Sequence, residues 1–112
     1  MPLVAGVDSS TQTSKVELRD LDSGALVASG KALHPPTEPP RSEQDPRAWW
    51  DALAEAFAAC GDARGDVAAV SVAGQQHGLV VLGADDEPLR PAKLWNDTES
   101  SPQADDLVDA AT

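Results

Sequence analysis

Between two glycines, Gly74 and Gly78, the chain carries Gln75, Gln76 and His77 in succession. Each glutamine offers two hydrogen-bond donors and an acceptor, and a neutral histidine offers one of each. The flanking glycines permit backbone angles and close approaches that a side chain blocks. A short apolar run, Val70-Ser71-Val72-Ala73, leads into the loop, so these groups stand at the end of a strand. Such a set reads hydroxyls of the kind that a polyol or a sugar presents. On these residues alone the plainer alternative, a polar hairpin with no ligand, stands beside it. A second polar stretch, Asp8-Ser9-Ser10-Thr11-Gln12-Thr13-Ser14, follows another short apolar run at residues 3–7.

The elements that must position these loops can be read in chain order. Residues 3–7 predict a strand, being too few for a helix. Residues 15–20 alternate, Val16 and Leu18 to one side and Lys15, Glu17 and Arg19 to the other, as a half-buried strand does. Asp22-Ser23-Gly24 is a turn, and residues 25–32 return as a second strand, so that 15–32 form a hairpin pairing with the first strand. Four prolines between His34 and Arg41 rule out regular structure there. That stretch reads as a crossover loop with His34 exposed to solvent. Asp45 then caps a helix whose first position is Pro46. Its apolar face is Trp49, Trp50, Leu53, Ala54, Phe57 and Ala58, and Gly61 ends it. Residues 67–73 are apolar almost throughout, as in a strand covered on both faces. A further strand at 79–82, a turn at 84–88 and an extended run at 89–95 lead to Asn96 and Asp97. Ser101-Pro102 opens a second helix with Leu107, Val108 and Ala111 on its apolar face. The last residue, Thr112, falls inside that helix, so the chain is expected to be a piece of a longer protein. The alternative is a complete small domain with a frayed terminal helix.

Composition narrows the partners. A chain of 112 residues carries one small core. Its 19 acidic and 8 basic residues give a net charge of −11, which repels a nucleic-acid backbone and an anionic membrane surface. The single Cys60 excludes an internal disulfide framework and a multi-cysteine zinc site, and reads as a buried, inert thiol. No apolar run approaches the roughly 20 residues that span a bilayer. The first residues lack the basic lead of a secretory leader. A cytoplasmic setting is the expectation.

The order strand, polar loop, hairpin, crossover, helix, strand, loop, strand resembles the opening of the ribonuclease H-like fold of the actin, hexokinase and heat-shock ATPase superfamily. The expected fold class is therefore α/β, an incomplete half-domain with a mixed sheet. Four motifs sharpen the resemblance. Residues 6–15, Gly-Val-Asp-Ser-Ser-Thr-Gln-Thr-Ser-Lys, are similar to the first phosphate loop of that superfamily. Ser42-Glu43-Gln44-Asp45-Pro46 with Trp49-Trp50 resembles the start of the first helix in the FGGY carbohydrate kinases. Residues 73–78, Ala-Gly-Gln-Gln-His-Gly, look like the sugar-contacting loop of xylulokinases, and Leu94-Trp95-Asn96-Asp97 like their next sugar-side segment. By this resemblance residues 1–112 form the N-terminal part of the FGGY N-terminal domain, with the nucleotide-binding lobe lying outside the chain.

The resemblance implies a reaction and assigns residues to it. ATP and Mg²⁺ would phosphorylate D-xylulose to D-xylulose 5-phosphate. Asp8 matches the acid of the phosphate loop, which acts on Mg-ATP and is needed for activity. Thr11 and Thr13 lie where hydroxyls meet phosphate. Gln76 and His77 match the pair that contacts the sugar, and Asn96 and Asp97 lie near the sugar pocket. Phosphoryl transfer calls for positioning and charge neutralisation, and a strand-end Asp holds Mg²⁺ directly or through water. The family's catalytic aspartate lies further along than residue 112, so this piece is not expected to turn over alone. A homodimer is compatible with the resemblance for the longer protein. Two positions depart from the pattern. Ser10 stands where the phosphate loop usually has glycine, and Glu99 where a basic residue commonly follows the Trp-Asn-Asp segment. Two other readings remain: a non-catalytic sugar-binding or interaction module of the same fold, and an FGGY kinase acting on glycerol, gluconate or ribulose.

Overall fold

A computed structural model describes residues 2–112. Three strands, β1 (Leu3–Ser9), β2 (Thr13–Asp20) and β3 (Leu26–Leu33), form an antiparallel meander. After a Pro-rich crossover come a two-residue strand β4 (Glu43–Gln44) and helix α1 (Pro46–Ala58). A 3₁₀ turn over Gly61–Asp66 then feeds strand β5 (Val67–Gly74). β5 lies parallel to β1, which gives a mixed sheet in the order β3-β2-β1-β5. A short strand β6 (Ala92–Lys93) pairs antiparallel with β4, and helix α2 (Ser101–Ala111) follows. No helix among the described residues is long and apolar enough to cross a membrane.

The core lies between α1 and one face of the meander. Leu3, Ala5 and Val7 of β1, Val16 and Leu18 of β2, and Ala32 of β3 bury against Ala52, Ala56 and Cys60. Alternation within each strand sends the intervening residues to the opposite face. The helix starts as its sequence predicts: the Asp45 carboxylate accepts the Arg47 amide at 2.9 Å, and Pro46 occupies the first turn. Gly61, at φ +69°, turns the chain out of the helix in a conformation that favours glycine.

Several expectations need correction. The buried stripe of α1 runs through Ala52 and Ala56 and on to Cys60 just past its end, with Leu53 and Phe57 partly buried, while Trp50 is 71% exposed. Gly30 of β3 explains the rotation. A Cβ there would lie 1.8 Å from the Ala56 carbonyl oxygen, so helix and strand meet backbone to backbone and small residues fill the seam. β5 is not covered on both faces: it is an edge strand, and Val70 and Val72 are exposed. Helix α1 packs chiefly on β3 and β2, so of β5 Val67 packs against the core while Val70 and Val72 stay uncovered. Residues 79–82 are no regular strand. Leu79 and Leu82 make single bridges, to Lys93 and Pro88, and of the run 89–95 only β6 is a strand. His34 is buried at 6% exposure rather than solvated. Its amide donates to the Gln12 carbonyl at 2.7 Å, which keeps it at the end of the sheet, and its Nε2 lies 2.8 Å from Ser14 Oγ. Cys60 is buried as expected, and that burial pushes its thiol pKa up.

Candidate functional site

Because β1 and β5 run parallel in register, their carboxyl ends finish side by side, Ser9 opposite Gly74. In open α/β sheets this is where ligands are held. The Gln75 amide donates to the Ser9 carbonyl at 3.1 Å, which joins the two polar loops at their roots. Asp8 is exposed and alternates with Val7, so it points away from α1. It opens onto a cleft of about 400 Å³ that Gly6, Lys15, Glu17, Ser71 and Ala73 also line. Across the strand Lys15 pairs with Glu17 at 3.3 Å, and among the described residues the Asp8 carboxylate makes no ion pair. An exposed, unpaired carboxylate at a strand end fits the outer shell of a hydrated divalent ion. Ser10 accommodates the turn without glycine. Its amide and hydroxyl both donate to the Thr13 carbonyl, at 2.9 and 3.2 Å, and its φ is not positive.

His77 takes a left-handed backbone, φ +60°. For a non-glycine residue this costs on the order of 1–2 kcal/mol, so the surrounding loop must impose it. That loop is clamped at both ends. Gln75 is tied to Ser9, while Leu79 and Lys93 exchange backbone bonds of 2.9 and 3.1 Å. Gln76 and His77 stand exposed between these clamps.

Thr11 draws four segments together. Its hydroxyl donates to Gln75 Oε1 at 3.1 Å and accepts the Trp95 indole N–H at 3.2 Å. Its carbonyl accepts from Gln44 Nε2 at 2.8 Å. Gln44 is 3% exposed and fully engaged: its amide nitrogen also donates to the Pro35 carbonyl, and its oxygen accepts the Trp49 indole N–H, both at 2.8 Å. Thr11, Gln12, His34, Gln44 and Asn96 line a second cleft of about 500 Å³. Thr13 opens β2 and is half-buried.

A charge network backs the Trp95–Asp97 segment. The Lys93 ammonium lies 2.9 Å from Glu43, 3.0 Å from Asp97 and 2.6 Å from Glu99. Arg90 adds a bond to Glu43 at 2.7 Å, and Arg41 one to Glu99 at 3.0 Å. Glu43, Asp97 and Glu99 place carboxylate oxygens within 4.8 Å of one another, a spacing that suits a metal, but the Lys93 ammonium already supplies the cation. The Asp97 carboxylate is almost enclosed, with 7% of the side chain exposed. One oxygen accepts the Ser42 amide at 2.8 Å, and the other the Glu99 amide at 3.0 Å. The Ser42 amide and then Lys93 hold its pKa down at about 2. The three carboxylates raise that of Lys93, with Glu99 the largest cause. Asn96 is exposed, and its Oδ1 accepts the Ser42 hydroxyl at 2.6 Å. The acidic Glu99 is thus matched by Lys93 and Arg41, and its departure from the expected basic residue leaves no unpaired charge.

Residues 3–111 match the profile of the FGGY family of carbohydrate kinases, N-terminal domain. The chain belongs to the FGGY family of carbohydrate kinases. A xylulose kinase of Streptomyces coelicolor is 56% identical over 108 residues, which cover 96% of this FGGY chain and 22% of that protein. The crystal structure of xylulose kinase from Bifidobacterium adolescentis superimposes with a TM-score of 0.82 at 47% identity, over 96% of this chain and 20% of that one. Gluconate kinase from Lactobacillus acidophilus matches with the same TM-score of 0.82 at 30% identity, over 97% and 23%. The expected actin- and hexokinase-type fold therefore holds, and the chain spans about a fifth of the length of these proteins.

Within this FGGY chain the structure gathers Thr11, Gln75, Gln44, Trp95 and Asn96 on one side of the sheet end, and sets Asp8 on the open face. Sequence reasoning named Thr11 and Asn96 but passed over Gln44, Ser42, Lys93 and Trp95 as working parts. Gln44 and Ser42 were visible only as members of a motif, because their partners lie 33 and 54 residues away. Lys93 sits in an unremarkable stretch between proline and leucine residues, and nothing local marks it.

Proposed function

We propose that the longer protein carrying this chain transfers the γ-phosphoryl group of ATP to D-xylulose, giving D-xylulose 5-phosphate. The observation that carries the reading is the juxtaposition of the two polar loops at the carboxyl ends of β1 and β5. The similarity to xylulose kinases supports the choice of sugar. In this reading the exposed amide of Gln76, the His77 imidazole and the Asn96 side chain take sugar hydroxyls, where neutral donors and acceptors suit a neutral polyol. Asp97, whose oxygens are both engaged, holds that segment in place rather than reaching the sugar. Thr11 braces the phosphate loop against Gln75 and Trp95, and Thr13 with the backbone amides of residues 11–13 faces the phosphates. Asp8 would hold Mg²⁺, directly or through water. Bound there, the ion supplies charge neutralisation for the transferring group. The sugar hydroxyl's proton acceptor and the adenine site are contributed by the rest of the protein, and residues 1–112 are the first part of its N-terminal domain.

Asp8→Ala in the complete protein tests the reading. Turnover of D-xylulose should fall by about 100-fold or more, with an unchanged circular dichroism spectrum, as when a group acting on the transition state is removed. An unchanged kcat would sink the assignment of Asp8. The equal structural match to a gluconate kinase favours one alternative, a different sugar or sugar acid in the same site. A substrate panel decides it, D-xylulose being expected to give the highest kcat/KM.

A further inference from the structure

Lys93 stands where three segments of the site meet. Its backbone exchanges hydrogen bonds of 2.9 and 3.1 Å with Leu79, at the exit of the Gln76–His77 loop. Gly78 lies so close beneath its carbonyl that a Cβ there would come within 3.3 Å. Its ammonium bridges Glu43 of β4, Asp97 and Glu99 at 2.6–3.0 Å. Two residues on, Trp95 donates its indole N–H to Thr11 of the phosphate loop. We infer that Lys93 is a positioning residue, whose ammonium sets the Trp95–Asp97 segment and the Gln76–His77 loop in one register against residues 10–13.

The argument is one of balance. Glu43, Asp97 and Glu99 crowd their carboxylates within 4.8 Å. Without the ammonium they repel one another, and like charges at that distance in a partly enclosed place oppose packing. β4 and β6 share only two residue pairs, and beyond them the segment is tied by neutral hydrogen bonds, the Leu94 and Thr98 amides donating to the Ser42 and Pro40 carbonyls, which leave the carboxylate charge unbalanced. The two arginines cannot replace Lys93. Arg90 reaches Glu43 and Arg41 reaches Glu99, each from the exposed rim, and neither pairs with Asp97. Asp97 in turn holds the Ser42 amide, and Ser42 holds Asn96. Loss of the Lys93 charge therefore propagates through Asp97 and Ser42 to Asn96, and through Trp95 to Thr11 and Gln75.

The test uses the complete natural protein with Lys93→Met and Lys93→Arg, read by amide hydrogen exchange and by steady-state kinetics. Lys93→Met should speed exchange over residues 10–13, 75–79 and 94–99 while residues 46–58 keep wild-type protection. It should raise KM for D-xylulose by about tenfold or more with a smaller change in kcat, as misplaced binding groups do. Lys93→Arg should restore both. Unchanged exchange in the three segments overturns the inference, as does equal loss through α1, or raised exchange with an unchanged KM. If Lys93→Met does not fold, Lys93→Gln combined with Glu99→Gln removes the charge pair together and is read in the same way. The kinetic arm rests on the kinase reading and the exchange arm does not. A wild-type protein inert toward D-xylulose would sink that reading, and the exchange pattern would still decide the role of Lys93.

Discussion

Gln44 and Asp97 illustrate how single side chains in this protein work by being fully engaged. Gln44 makes three hydrogen bonds from a buried position, and a buried amide left short of partners costs about 1–3 kcal/mol. Asp97, with both oxygens engaged, secures the segment that carries Trp95 and Asn96. Its pKa, about 2 in the folded chain against an ordinary 3.8, has a consequence for acid stability. A depressed carboxylate stabilises the fold above its unfolded pKa, and that contribution is lost as pH falls through the folded value. Stability should therefore decline between pH 3.8 and about 2. Asp97→Asn should lower the urea midpoint at neutral pH and flatten the decline across that window. The slope that remains belongs to Glu17, Asp20 and Glu99, which hydrogen bonds also hold below their ordinary values.

Among the elements, the seam between α1 and β3 sets how the helix sits. Gly30 admits the Ala56 carbonyl where a Cβ would stand 1.8 Å from the oxygen and 2.8 Å from its carbon. Neither backbone atom can swing aside, so Gly30→Ala must separate helix from sheet. It should destabilise by about 2 kcal/mol or more, in the range of overpacked cores, as measured by chemical denaturation. Replacing the exposed Gly65, which has open space around it, should cost far less. The amphipathic pattern of α1 was legible, but its rotation was not. Periodicity marks an apolar stripe and is silent on which part of it meets the sheet and which part stays open, and a close approach at one glycine decided that. The starts, turns and caps of the meander and of α1 were legible because each rests on local chemistry: alternation, the Asp-Ser-Gly turn, and Asp45 before Pro46.

The whole molecule is extended, 61 × 31 × 25 Å with a radius of gyration of 18.1 Å, where a compact chain of about 100 residues has about 13 Å. Helix α2 buries none of its residues, and β5 offers an unpaired edge with Val70 and Val72 exposed. An edge strand of this kind is a template for pairing with another chain. The 112-residue chain should therefore associate with rising concentration in sedimentation velocity. Val72→Lys, which sets a charge beside that edge, should shift it toward monomer. Concentration-independent sedimentation of the wild type would show the edge to be protected.

Local patterns in the amino-acid sequence were enough for the meander, α1, β5 and α2, the two polar loops, the inert cysteine and the family resemblance, because these depend on neighbours a few residues apart. The rest required the chain to be folded. The exposure of β5, the burial of His34, the absence of a strand at 79–82 and the Lys93 network all depend on groups tens of residues distant. Whether a polar side chain reads a ligand or braces a loop depends on which partners reach it first. For Thr11, Gln44 and Asp97 many of those partners lie tens of residues away, and only the packing of their segments brings them within hydrogen-bond range.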